Sequence, residues 1–220
     1  MVGTQYPRPP YPPGCAHHQI PALLAPGLEV EAYVYLWFSG DAGEQAREAL
    51  EVIRPWRARI DRLWIDVEDE AGSLDAGARI ASVRAAVEAC GEMPAGIYTA
   101  AWYWQPCMDD TAAFAALPLW AAQYDGRADL EVTPFGGWAR AAMKQYAAEV
   151  ALGGLPRVDL NWYEGVPEPL REEEFVTAFA SLYRGLDGAQ LPIRVRWGAP
   201  SVTASGEQVH PLIVGGRMPR

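Results

Sequence analysis

A chain of 220 residues can bury one sizeable core, and 50% apolar with 21% charged content is ordinary for a globular protein. Eighteen Lys and Arg against 28 Asp and Glu leave a net charge of −10, which argues against binding driven by phosphate neutralisation and against anionic membranes. No apolar run approaches the roughly 18 residues needed to span a bilayer, so neither nucleic acid nor membrane insertion is expected.

Cys15, Cys90 and Cys107 are too scattered for a disulfide framework or a paired-ligand metal site. His17, His18 and His210 have no partner at ligand spacing, so no metal and no cofactor is expected. The opening MVGTQYPRPPYPPGC lacks a cationic segment followed by an apolar one and does not read as a secretory signal. Nine Trp and ten Tyr exceed what packing alone requires. Flat rings with polar edges are what sugar faces stack on, although large aromatics also serve as core.

Along the chain, residues 6–14 are dominated by Pro and Tyr and form an extended loop. Leu28 to Phe38, LEVEAYVYLWF, reads as a strand whose alternation puts Tyr33, Tyr35 and Trp37 on one face. Asp41 with Glu44 three residues on predicts a helix N-terminus, with the helix running to about Ile53 before Pro55. RLWIDVED follows as an apolar strand ending in acids, and then a helix with Ile80, Val83, Val87 and Cys90 on one face and Gly91 as its stop. AGIYT at 95–99 is a strand, Thr111 to Leu117 is expected to be helical, and LPLWAAQY is a further strand. Such alternation favours a mostly parallel sheet with helical crossovers. MKQYA near Met143 and RVDLNWY near Arg157 read as strands with no helix between them, and Gly136-Gly137 and Gly153-Gly154 as turns. After Gly165 the composition changes. PEPLREEEF opens an expected amphipathic helix with Phe175, Phe179 and Leu182 aligned, and IRVRW and VTAS form a short β-rich tail. The expected division is a domain over 1–165 and an appendage over 166–220.

Residues two apart in a strand share a face, so Asp66 and Glu68 project together from the end of RLWIDVE. Two carboxylates on one face raise each other's tendency to hold a proton, the condition for a general acid beside an ionised partner. The same acids would also suit a strand leaving the core into solvent. In VDLNWYEG, Asp159 and Asn161 point opposite to Val158 and Leu160, which fits either a polar pocket or a strand-to-turn exit.

The order AYVYLWF, LWIDVED, GIYTAAWYW, LPLWAAQY, KQYA, VDLNWYEG resembles family 25 of the glycoside hydrolases, the N-acetylmuramidase lysozymes, over residues 1–165. The resemblance implies an irregular TIM-like (β/α) barrel that cleaves β-1,4 bonds in the glycan strands of peptidoglycan, acting at a cell wall or outside a cell. It implies Glu68 as general acid, with Asp66 and Asp159 as supporting ionised carboxylates. It implies Tyr33, Tyr98, Trp120 and Tyr124 as cleft-lining residues, and Tyr35, Trp37, Gln145 and Asn161 join them as expected glycan contacts. Three positions depart from the family pattern. No Asp-bearing strand precedes MVGTQ, which itself looks like the second strand; Gln5 stands where a Glu is usual; and Lys144 stands where Trp commonly precedes Gln-Tyr. The expectation is therefore an N-terminally incomplete barrel with a C-terminal helix and β-rich appendage. It is either a lysozyme-type hydrolase or a non-catalytic glycan-binding or structural module that keeps the barrel, and the sequence leaves its oligomeric state open.

Overall fold

The structure, a computed structural model, describes residues 2–3, 16, 20–21, 24, 30–70, 74–152, 155–163, 193–197, 201–202, 208–209 and 212–216. The expected Pro-rich loop, the Gly153-Gly154 turn and the expected helix at Phe175, Phe179 and Leu182 lie outside the described residues.

Strands β1 (Val2–Gly3), β2 (Val30–Tyr35), β3 (Ile60–Asp66), β4 (Ala95–Thr99) and β5 (Leu119–Ala122) run parallel in sequence order. They continue through β8 (Met143–Leu152) into an antiparallel β9 (Leu155–Tyr163), giving a seven-stranded sheet in the order β1-β2-β3-β4-β5-β8-β9. The strand expected at MVGTQ is thus present as the edge partner of β2, with Val2 opposite Ala32. A small hairpin, β6 (Glu131–Phe135) and β7 (Trp138–Arg140), is inserted before β8. Its turn is the anticipated Gly136-Gly137 pair. Both have positive φ, and a Cβ on Gly136 would come within 2.6 Å of the Trp104 indole nitrogen.

Helix α1 (Ala42–Ile53) begins where Asp41 Oδ1 accepts the Glu44 amide at 2.9 Å, and gives way at Pro55 to a 3₁₀ turn over Arg54–Arg59. Helix α2 (Ala76–Ala89) is capped by Asp75 in the same manner. It buries Val83, Ala86 and Cys90 and, unexpectedly for a charged residue, Arg79. Both helices cover one face of the sheet, where Ala32 and Val34 of β2, Leu63 and Ile65 of β3, Ile97 of β4 and Leu119 and Ala121 of β5 form the core. Period-two alternation sends the remaining strand side chains to the opposite, open face.

The helix expected at Thr111 to Leu117 does not form. That segment is a run of turns closed by Thr111 N–H to Met108 C=O and Leu117 N–H to Phe114 C=O, and helix α3 occupies Ala101–Cys107 instead. Asp109 and Asp110 adopt left-handed φ of 52° and 46°, which breaks any continuous helix there. Phe114 still packs edge-on to Trp104, at a centroid separation of 5.8 Å. The β-rich tail is present as two antiparallel pairs: β10 (Ile193–Trp197) with β13 (Leu212–Gly216), and β11 (Ser201–Val202) with β12 (Gln208–Val209).

Candidate active site

The open face is layered along the strands. Near the N-terminal ends the Trp64 indole forms a floor. It donates to Glu31 Oε2 at 2.7 Å, and the Arg62 guanidinium lies 5.1 Å above its ring. The close approach of Trp64 to β4 requires Gly96, since a Cβ there would fall 2.5 Å from the indole ring. Above this floor Tyr98, Trp120 and Met143 pack against Trp64, with Tyr33 and Tyr163 at the margin.

The acids lie one layer higher, at the C-terminal ends of the strands. Val67 faces the helix-covered core, and its amide donates to Tyr98 C=O at 2.9 Å, so the ladder holds the chain extended past Asp66. Asp66 is 6% exposed, and its Oδ1 has no hydrogen-bond partner among the described residues. Burial, followed by repulsion from Glu68, raises the Asp66 carboxyl well above its usual range. Glu68 is half-buried, and its carboxyl is raised first by burial and then by Asp159. The two titrate as a pair whose first ionisation leaves a proton to be donated. The expectation that Asp66 is the readily ionised member meets a physical objection here: of the two it is the more deeply buried.

Asp159, on β9, is exposed, and its Oδ1 accepts the amide of Glu149 at 3.1 Å. Glu149 has a φ of 54° and sits where the β8–β9 register slips, so the carboxylate also braces an irregularity of the hairpin. Its charge nevertheless reaches across the face to act on Glu68, Tyr33 and Tyr124.

The aromatic residues expected around the acids are brought together, in two kinds of setting. Tyr98 and Trp120 are buried in the wall with centroids 4.4 Å apart, and Trp120 donates to Asn161 Oδ1 at 2.8 Å. Gln145 Oε1 accepts from both Tyr98, at 2.8 Å, and Tyr124, at 3.0 Å. Tyr124, in contrast, is 57% exposed. Tyr33 and Tyr35 are half-buried, and their hydroxyls are held protonated chiefly by burial and then by the neighbouring carboxylates. Trp37 lies beyond the end of β2 at the rim, its ring 4.5 Å from that of Tyr35.

Two further groups shape the site without being anticipated. Asp69 is buried; its Oδ2 accepts the Phe38 amide at 2.9 Å, and its carbonyl accepts from the Tyr103 hydroxyl at 2.9 Å and Arg79 at 2.7 Å. These bonds anchor the segment immediately after Glu68. Its signal was the Arg on the apolar face of α2, which needs a buried acceptor. The second is Lys144, fully buried on the other face of β8 from Gln145, with Nζ 2.9 Å from Asp125 and 2.8 Å from Asp129.

Known proteins share part of this sequence and its fold. "Probable GH family 25 lysozyme 4" of Dictyostelium discoideum is 30% identical over 142 residues, covering 62% of this chain and 66% of the relative. "Probable GH family 25 lysozyme 3" of the same organism is 29% identical over 154 residues, covering 66% of this chain but 32% of the relative. The matches therefore span from a third to two thirds of those proteins. Among solved structures, a family GH25 lysozyme from Aspergillus fumigatus superposes with a TM-score of 0.56 at 18% identity, over 80% of this chain and 83% of the other. That likeness is one of fold, a mixed α/β chain whose curled sheet forms half a barrel. The family model described as "Glycosyl hydrolases family 25" matches residues 13–155 of the 220, the stretch that carries the paired acids and the tyrosine wall, and the chain belongs to that family.

Proposed function

We propose that the chain is a glycosidase of lysozyme type that hydrolyses β-1,4 linkages in peptidoglycan glycan strands, with its sheet forming an arc of an irregular TIM-like (β/α) barrel. The observation that carries this reading is the placement of Asp66 and Glu68 at the C-terminal end of β3, opposite Asp159 and beside an exposed tyrosine, with both carboxyls raised. That end of the strands is where catalytic groups of such barrels gather. Glu68, the less buried member of the pair, is the one a glycosidic oxygen can reach, and it serves as the general acid. In the singly protonated pair with the proton on Glu68, Asp66 together with Asp159 stabilises the positive charge that develops at the anomeric carbon as the bond breaks, and the deeper burial of Asp66 makes that the less populated of the two forms. Tyr33, Tyr35, Trp37, Tyr124 and Asn161 provide the glycan-facing surface, while Tyr98, Trp120 and Gln145 act as the wall behind them.

A second reading, a glycan-binding module without turnover, is favoured by one observation. Asp159 is already engaged with the Glu149 amide and can be explained as a brace for the hairpin. Incubation with purified peptidoglycan separates the two. Appearance of N-acetylmuramic acid reducing ends supports hydrolysis, and retention on peptidoglycan with no new reducing ends supports the binding module.

A further inference from the structure

Lys144, the only lysine in the 220-residue sequence, is fully buried, and a buried ammonium is costly unless it is paired. Its partners come from a single surface segment, Gln123 to Glu131, that follows β5. Asp125 and Asp129 both accept from its Nζ. Around them the segment is cross-tied: Gln123 Nε2 donates to Asp125 at 2.8 Å, Arg127 donates to the same carboxylate at 3.1 Å, and Gln123 Oε1 accepts the Thr133 amide at 2.9 Å. Desolvation acts to raise the Asp125 carboxyl, but the donors from Gln123, Lys144 and Arg127 outweigh it and hold the carboxyl below its usual range. The backbone follows the same path, with Gln123 N–H bonded to Gln145 C=O at 3.1 Å and Gly126 N–H to Tyr146 C=O at 3.0 Å.

Tyr124 sits inside this segment. Its neighbour Asp125 reaches to Lys144 on the helix-covered side of β8, while Tyr124 reaches over the open face to Gln145. Adjacent residues of one segment therefore grip both sides of one strand, through Lys144 on one side and Gln145 on the other. The Lys144 ammonium is fully buried and makes two charge-assisted bonds to the segment, against one neutral bond from Tyr124 to Gln145, so it is the firmer of the two attachments.

We propose that Lys144 is a positioning residue for glycan binding: by clamping Asp125 and Asp129 it holds Tyr124 as a preset platform beside the acid pair. This rests on the glycosidase reading only in requiring that the open face accept glycan. Holding a side chain in its bound orientation raises affinity by removing an ordering cost at binding, without a new contact.

The test uses the full chain and soluble, uncross-linked peptidoglycan glycan strands as the probe. Lys144→Met keeps length and apolar bulk but removes the charge, and Asp125 and Asp129 are exposed enough to hydrate when released. The variant is expected to bind the strands on the order of fivefold more weakly, the size of the ordering cost of one immobilised side chain. In a Tyr124→Ala background the same substitution should have no further effect, because Lys144 acts through Tyr124. Amide exchange at Gly126 should also speed up in Lys144→Met without a matching rise across the sheet. Should Lys144→Met fail to fold, Asp129→Asn, which leaves Lys144 paired with Asp125, is read the same way with a smaller effect. Unchanged affinity, an equal loss with and without Tyr124, or unchanged exchange at Gly126 overturns the proposal. If wild type does not bind the strands, the glycosidase reading falls, and the exchange measurement still decides whether the clamp exists.

Discussion

Replacing Asp66 by Asn should stabilise the protein near neutral pH. Asp66 is buried with Oδ1 unpartnered among the described residues, and its carboxyl is raised by burial and by Glu68. A raised carboxyl favours folding only while it is protonated. The penalty is absent below the unfolded value near 3.8, grows as pH rises toward the folded value, and is complete above it. An Asn side chain mimics the protonated acid and escapes this loss. Each unit by which burial raises the carboxyl is worth about 1.4 kcal/mol once the group must ionise, and each kcal/mol moves Tm by about 2–4 °C in a chain of this size. The gain at pH 8 is therefore about 3–6 °C for each unit of elevation, and it should shrink toward zero as pH falls to about 4. Thermal unfolding of wild type and Asp66→Asn by circular dichroism at both pH values measures it. An Asn variant that is less stable than wild type at both pH values would show that the carboxylate makes net favourable contacts, and the pair would lose its claim to an elevated proton affinity.

Three other outcomes follow from the same geometry. Gly96→Ala should cost about 1–3 kcal/mol by chemical denaturation, because the new methyl would overlap the Trp64 ring at 2.5 Å. Gln145→Ala removes the acceptor shared by Tyr98 and Tyr124, and should cost about 1–3 kcal/mol because the Tyr98 hydroxyl is left buried without it; an unchanged denaturation midpoint would contradict this. Truncation after Pro167, which tests the division of 1–165 from 166–220, should leave a cooperatively unfolding domain, and a molten truncated chain would mean that the later residues complete the core.

Much of the central sheet was legible because its signals were local. β3 announces itself through LWIDVE, and the placement of Asp66 on the open face and of Val67 toward the helix-covered core needs only a period of two. Asp41 was visible as a cap because its carboxylate works three residues away. What escaped depended on partners far along the chain. AWYWQPC carries Pro106 and three aromatics, the composition of a strand edge, yet it forms α3 because Tyr103 and Trp104 find buried places under Arg79 and against Trp138. Arg79 looks like a misplaced charge on the apolar face of α2 until Asp69 and Tyr103 supply acceptors from other elements. Lys144 reads in sequence only as a departure from a family pattern. Its meaning lies in Asp125 and Asp129, fifteen and more residues before it. At the site, the alternation identified which aromatics share a face, but not that Tyr98 and Trp120 would be wall and Tyr124 platform, since burial depends on how closely neighbouring strands pack.

In the proposed hydrolysis Glu68 donates a proton to the glycosidic oxygen. Release of reducing ends from purified peptidoglycan by wild type and by Glu68→Gln, with glycan binding measured on both, tests it most directly. Gln keeps the shape and removes the donor, so turnover should fall on the order of 10²- to 10⁴-fold while binding survives. Equal turnover by the two proteins would contradict the assignment.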